Sequence, residues 1–186
     1  MDLWHVWKCP HCMQARAALA EKGIPYWSHS LSAGEKLPVY GGVPVLVDGS
    51  QAVVGALAII EYVDTRWPEP PLFPICAGRR AVKSALRRVG EAFAPHLPRI
   101  ARGTPTEQAD ALGKVRRSMG DLDGEVSERG YLLTKFSAAD LALASIVAWL
   151  PPDWRPASLG YVRLGRWERT VMSRPAVREQ MVSVGE

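Results

Sequence analysis

Apolar and polar positions along the first seventy residues alternate between strand-like and helix-like patterns. Leu3-Trp4-His5-Val6-Trp7 is a short aromatic and β-branched run that predicts a strand over 2–7. Residues 10–22 follow with a helical period. Met13, Ala17, Leu19 and Ala20 set its apolar side, and Gly23 is its stop signal. Ile24-Pro25-Tyr26-Trp27 begins a second strand. Residues 31–42 read as a loop with at most one helical turn. Val43 to Val47 and Gln51 to Val54 are two strands joined at Asp48-Gly49, a strong hairpin turn. Gly55 to Trp67 returns to a helical period, phased by Leu57, Ile60 and Val63. Pro68, Pro70, Pro71 and Pro74 end that helix and mark a linker.

Beyond the linker the strand alternation disappears. The periodicity predicts helices near 77–94, 106–129, 137–150, 161–173 and 175–183. Ser137 followed by Asp140 is a helix-start signature, and the helix it opens is almost wholly apolar. Such a helix belongs at the centre of a domain. The expected organisation is an α/β domain over 1–74 and an all-helical domain over 75–186.

Composition narrows the class. The chain has 186 residues, 47% of them apolar, which suits a globular protein with a real core. No apolar run approaches the ~18 residues of a membrane span. Met1 to Lys8 lacks the basic region and long apolar stretch of a signal peptide, so a cytoplasmic location is expected. In that compartment cysteines are mostly reduced. The net charge of +4 carries little information. Arg80, Lys83 and Arg87 would share one helix face, either a solvated surface or a basic wall for an anionic ligand. No aromatic-basic motif accompanies them, so nucleic acid is not an expected partner.

The candidate chemistry lies at Cys9-Pro10-His11-Cys12, where the first strand meets the first helix. Cys-x-x-Cys at such a junction is the layout of a thiol–disulfide site. Cys9 would sit at the helix N-terminus, where free amides and the helix dipole favour a thiolate. Pro10 suits the first helical position because no N–H donor is needed there. Cys12 would lie one turn behind, placed either to resolve a mixed disulfide on Cys9 or to pack in the core. Lys8 and His11 add positive charge beside the thiol. Zinc is not expected, since one Cys-x-x-Cys lacks a second pair at ligand spacing. Cys76, at the linker, reads as a packed thiol, and the seven tryptophans read mostly as core.

Taken together, Cys9-Pro10-x-Cys12, Gly42-Val43-Pro44-Val45-Leu46, Leu57-Ala58-Ile59-Ile60-Glu61-Tyr62, the Pro-rich linker and Phe136-Ser137-x-Ala139-Asp140 make the chain resemble a cytosolic glutathione transferase. The resemblance runs from residue 2 to about residue 180. It implies a thioredoxin-like N-terminal domain, an all-helical C-terminal domain, an active cleft between them, glutathione as cofactor and often a homodimer. The Cys-Pro-x-Cys string resembles the glutaredoxin-like members, which perform redox thiol chemistry on small-molecule or thiol/disulfide substrates. Val43-Pro44 resembles the family's cis-proline step, where the Val43 backbone would pair with a peptide ligand. Asp140 resembles the capping acid of the family's folding motif.

One position departs from the family. An acid-hydroxyl pair usually precedes the Leu-Ala-Ile-Ile helix and holds the γ-glutamyl part of glutathione. Here the pair is Gly55-Ala56, which leaves only backbone amides for a carboxylate. Each lost contact is worth roughly 1–3 kcal/mol. Gln51, Arg16 or a partner subunit would have to substitute, or the ligand is another molecule. Three functions therefore stand open: a thiol–disulfide oxidoreductase or thioltransferase, a thiol-dependent isomerase or tailoring enzyme acting on a conjugated small molecule, and a non-enzymatic binding protein of the same fold.

Overall fold

The computed structural model describes residues 1–182 except Ala33, Lys36 and Pro38. Those three fall within the expected 31–42 loop, and residue 183, the expected end of the last helix, also lies outside the described residues.

The chain divides into two units. The first holds residues 1–72 together with residues from Ser173 onward. Its sheet has the order β2-β1-β3-β4, formed by β1 (Asp2–His5), β2 (Trp27–Ser30), β3 (Val45–Asp48) and β4 (Gln51–Val54). β1 and β2 run parallel, with Leu3 opposite Ser28, which requires the crossover helix α1 (Pro10–Glu21) between them. β3 pairs antiparallel with both β1 and β4, with Leu46 opposite Leu3 and Val53. The helix α2 (Ala56–Arg66) follows β4.

Leu3 and Leu46 from the strands, Ala15 and Leu19 from α1, Ile59 and Val63 from α2, and Ile24 form one buried cluster. Burying a side chain of this size contributes about 1.5–3 kcal/mol. Gly23 ends α1 with φ 63°, a left-handed conformation that costs glycine little. The chain then reverses, so that the Ile24 amide donates to the Leu19 carbonyl at 2.9 Å.

β1 is shorter than the apolar run, because Trp7 and Lys8 turn away before the motif. β2 starts later than expected, at Trp27 rather than Ile24. Trp27 is 75% exposed on an edge strand, which corrects its assignment to the core.

The second unit covers Phe73 to Met172. It holds α3 (Arg79–Phe93), a 3₁₀ turn at Ala94–His96, α4 (Leu97–Arg102), α5 (Pro105–Asp123), α6 (Ala138–Trp149) and α7 (Val162–Met172). Val82, Ala85, Val89 and Phe93 form the buried face of α3, which packs on α6. Residues 138–148 of α6 are all buried. Asp140 anchors that helix. Its carboxylate accepts from the Ser137 amide (2.9 Å) and hydroxyl (3.1 Å), the Leu132 amide (2.9 Å) and Trp167 Nε1 (2.9 Å). Burial pushes the carboxyl up from the usual carboxylate range, and these four donors oppose that shift.

α8 (Pro175–Val182) belongs to the first unit, packed on α1, although the proline linker placed everything beyond residue 74 with the second. Among the described residues no helix is long and apolar enough to cross a membrane.

Candidate active site

Cys9 is the N-cap of α1, with extended φ −95° and ψ 120°, and Pro10 opens the helix behind it. The preceding turn is closed by the Cys9 amide, which donates to the Val6 carbonyl at 3.2 Å. Cys9 is half-buried, whereas Cys12 is fully buried. The Cys12 sulfur accepts the Val6 amide at 3.4 Å.

The two thiols ionise very differently. Cys9 is lowered to about 6, chiefly because the Cys12 thiol donates to its sulfur. Burial opposes this, while the Cys12 amide and the charge and amide of His11 reinforce it. No side-chain hydrogen bond of formal geometry caps α1, yet the two first-turn amides lie close enough to favour the charged sulfur. The Cys12 thiol is pushed up because its proton is held by Cys9, with burial adding to the effect. His11 is exposed, and Lys8 stands exposed in the turn ahead of the motif.

Two polar residues behind the motif carried little signal in the sequence. His5 and Arg16 are both fully buried. Arg16 Nη1 lies 3.3 Å from His5 Nδ1, and His5 Nε2 lies 2.7 Å from Ser28 Oγ. A guanidinium only donates, so His5 Nδ1 accepts and Nε2 carries the proton. Burial, then the charge of Arg16, lower His5 to about 4, which keeps it neutral at neutral pH. Arg16 cannot serve as a ligand contact, because α1 is covered on this side by α8.

The Val43–Pro44 peptide is cis, as the resemblance implied, and Glu69–Pro70 is a second cis bond. Pro44 is buried, and its carbonyl accepts the Gly55 amide at 2.8 Å. The Val43 amide and carbonyl have no backbone partner among the described residues. Gly55 caps α2 with φ 92° and ψ 147°, a combination essentially reserved for glycine. Ala56 is buried at the first helical position. Gln51 is exposed at the end of the hairpin.

Cys76 is exposed rather than packed. It borders a cavity of about 440 Å³ lined also by Ser127, Glu128, Arg129, Thr134 and Lys135, with its sulfur 3.9 Å from Thr134 Oγ1. Arg80, Lys83 and Arg87 are exposed on α3, where Arg87 lies 3.5 Å from Glu91.

A four-stranded mixed sheet with a cis-proline just ahead of β3, a thiol capping the helix that follows β1, and an all-helical unit later in the chain make up the glutathione transferase arrangement. Residues 3–71 match the family model described as Glutathione S-transferase, N-terminal domain. The stringent starvation protein A homolog of Histophilus somni is 30% identical over 188 residues, covering 95% of this chain and 86% of that protein. Glutathione S-transferase Z1 of Arabidopsis thaliana is 35% identical over 106 residues, 52% of this chain and 48% of that one. Among solved structures, maleyl pyruvate isomerase, a bacterial Zeta-class glutathione S-transferase, superposes with a TM-score of 0.82 at 20% identity, covering 99% and 98% of the two chains. The chain belongs to the cytosolic glutathione transferase family.

Proposed function

We propose that this family member is a thiol–disulfide exchange enzyme with Cys9 as nucleophile and Cys12 as resolving thiol. The observation that carries the reading is the split ionisation of the pair. Cys9 is lowered to about 6 at the tip of α1, while Cys12 behind it keeps its proton. At neutral pH such a pair offers one thiolate and one proton donor.

The Cys9 thiolate attacks one sulfur of a small disulfide. A Cys9–S bond forms, the substrate S–S bond breaks, and one thiolate leaves. Cys12 then gives up its proton to a departing thiolate and attacks Cys9 sulfur. The Cys9–Cys12 disulfide forms and the second substrate sulfur leaves as a thiolate. Two electrons pass from the protein sulfurs to the substrate, so the cycle is closed by an external thiol such as glutathione.

Glutathione fits this site in part. The Val43 backbone, unpaired by backbone groups among the described residues and next to Pro44 in the chain, suits the peptide strand of such a ligand. The first turn of α2 offers amides to a carboxylate, but Gly55 and Ala56 provide neither acid nor hydroxyl. Weak glutathione binding follows, and homodimer formation remains part of the proposal because the chain's family is often dimeric.

Replacing Cys9 with Ser tests the reading. Reduction of a small mixed disulfide by the reduced protein is expected to be lost, and full activity in C9S would overturn it. A thiol-dependent isomerase is the second reading, supported by the Zeta-class relative and by the fold shared with maleyl pyruvate isomerase. Product analysis with a cis-enone substrate separates the two.

A further inference from the structure

Arg16 is a fully buried guanidinium without a carboxylate partner among the described residues. Its Nε donates to Gln180 Oε1 of α8 at 2.9 Å, and Nη1 faces His5 Nδ1. Nη1 and Nη2 reach the carbonyls of Val6 (3.5 Å) and Trp7 (3.3 Å). The guanidinium carbon stacks 4.4 Å from the centre of the Trp7 ring. Burial lowers its proton affinity, but an arginine still stays charged in a protein. A buried cation of this kind is costly unless an anion lies within its field.

The titratable groups that face it supply a single candidate. His5 is neutral, with His29 of β2 acting on it from the neighbouring strand. Burial pushes Tyr26 up, so it stays neutral too. Cys12 is held protonated. Cys9 remains: its charge acts on Arg16, while the thiol itself is lowered chiefly by Cys12 and then by His11.

The contacts run to the same place. The Val6 carbonyl receives both the Cys9 amide and Arg16, and the Val6 amide donates to the Cys12 sulfur. One residue of the β1–α1 turn thus ties Arg16 to both thiols. We infer that Arg16 is a positioning residue for the thiol pair, holding the Val6–Trp7 turn against α1 and serving as the buried counter-charge of the Cys9 thiolate, with Gln180 of α8 fixing its fork. The inference rests on the thiol-exchange reading above.

Its redox consequence has a definite sign. Reduced protein, carrying Cys9 thiolate and Cys12 thiol, reacts with glutathione disulfide to give the Cys9–Cys12 disulfide, one glutathione thiolate and one glutathione. The anion disappears from the protein in that reaction. A nearby buried cation therefore favours the reduced side, and weakening it favours the disulfide.

Two variants test this. Arg16→Gln removes the charge, and Gln180→Glu sets a carboxylate against the guanidinium while leaving Arg16 in place. Thiolate absorbance is followed against pH, with Cys9→Ser as the baseline, and the disulfide fraction is measured in glutathione buffers. Both variants are expected to raise the Cys9 pKa by about one pH unit. The dithiol–disulfide equilibrium should move toward disulfide by about fivefold at neutral pH. Should Arg16→Gln fail to fold, Gln180→Glu carries the test alone. A Cys9 titration and an equilibrium unmoved in Gln180→Glu, while Cys9→Ser has lost exchange, would overturn the inference and leave the thiol reading standing. Exchange retained in Cys9→Ser would remove both.

Discussion

The Cys12 sulfur accepts the Val6 amide at 3.4 Å while its own proton is directed at Cys9. While Cys9 is a free thiolate the inner thiol is its proton donor; once Cys9 sulfur is bound in a mixed disulfide that partner is gone and Cys12 can resolve it. Replacing Cys12 with alanine should act in two ways. The Cys9 pKa is expected to rise by about one pH unit or more, since the largest stabilising contact is gone. A Cys9–glutathione mixed disulfide should also accumulate, visible by intact mass, because no internal thiol can resolve it. Turnover of that adduct at the wild-type rate would contradict the assignment.

Ala56 is where the site departs most from its family. Its neighbour Gly55 holds φ 92° and ψ 147°, so an acid there would be strained by roughly 1–3 kcal/mol. Ala56 has ordinary helical surroundings, which makes Ala56→Ser the cleaner restoration. One added hydroxyl contact to a carboxylate should tighten glutathione binding by about tenfold. Isothermal titration compares the two proteins. Equal affinities would mean that the γ-glutamyl carboxylate does not lie at the start of α2.

His5 makes stability depend on acid. Its folded value of about 4 lies below the ordinary 6.5, so the unfolded chain binds the proton more readily. The contribution is complete above pH 6.5 and is lost as pH falls toward 4. About 2–3 kcal/mol should disappear across that window. Urea midpoints against pH measure it, and His5→Gln should flatten the slope in this range. A variant with the wild-type slope would place the titration elsewhere.

Asp140 serves the second unit in the same structural sense. Removing its carboxylate in Asp140→Ala leaves the Trp167 Nε1–H and the Leu132 and Ser137 amides buried without acceptors. A loss of about 3 kcal/mol or more is expected, and a fall in Tm of about 10 °C. A change of only a degree or two would show that water or a rearranged loop satisfies those donors.

Much of this arrangement was legible from local patterns. Asp48-Gly49 fixed the hairpin, and Ser137 with Asp140 marked the start of the buried helix, because turns and caps act within a few residues. α4 was missed: six residues, with Pro98 in the first turn and Gly103 after the last, are too short to show a period. Trp27 was misread because an edge strand leaves one flank open, which side-chain size does not reveal. Cys76 followed the same pattern, since thiols default to burial in composition alone. Arg16 shows the deeper reason. On α1 it shares a face with Cys12, Met13, Leu19 and Ala20, and its side-chain acceptor, Gln180 of α8, stands 164 residues away in sequence. A counter-charge made by tertiary packing leaves no local signature.

The proposed exchange chemistry needs Cys9 ionised at neutral pH, where an ordinary thiol is not. The most direct test is the rate of iodoacetamide alkylation at Cys9 of the reduced protein, followed by peptide mass against pH, with Cys76 as the internal comparison. The rate at Cys9 is expected to rise to a plateau with its inflection near 6. An inflection near 8.5, the value of an unperturbed thiol, would contradict the proposed chemistry and leave the fold alone standing.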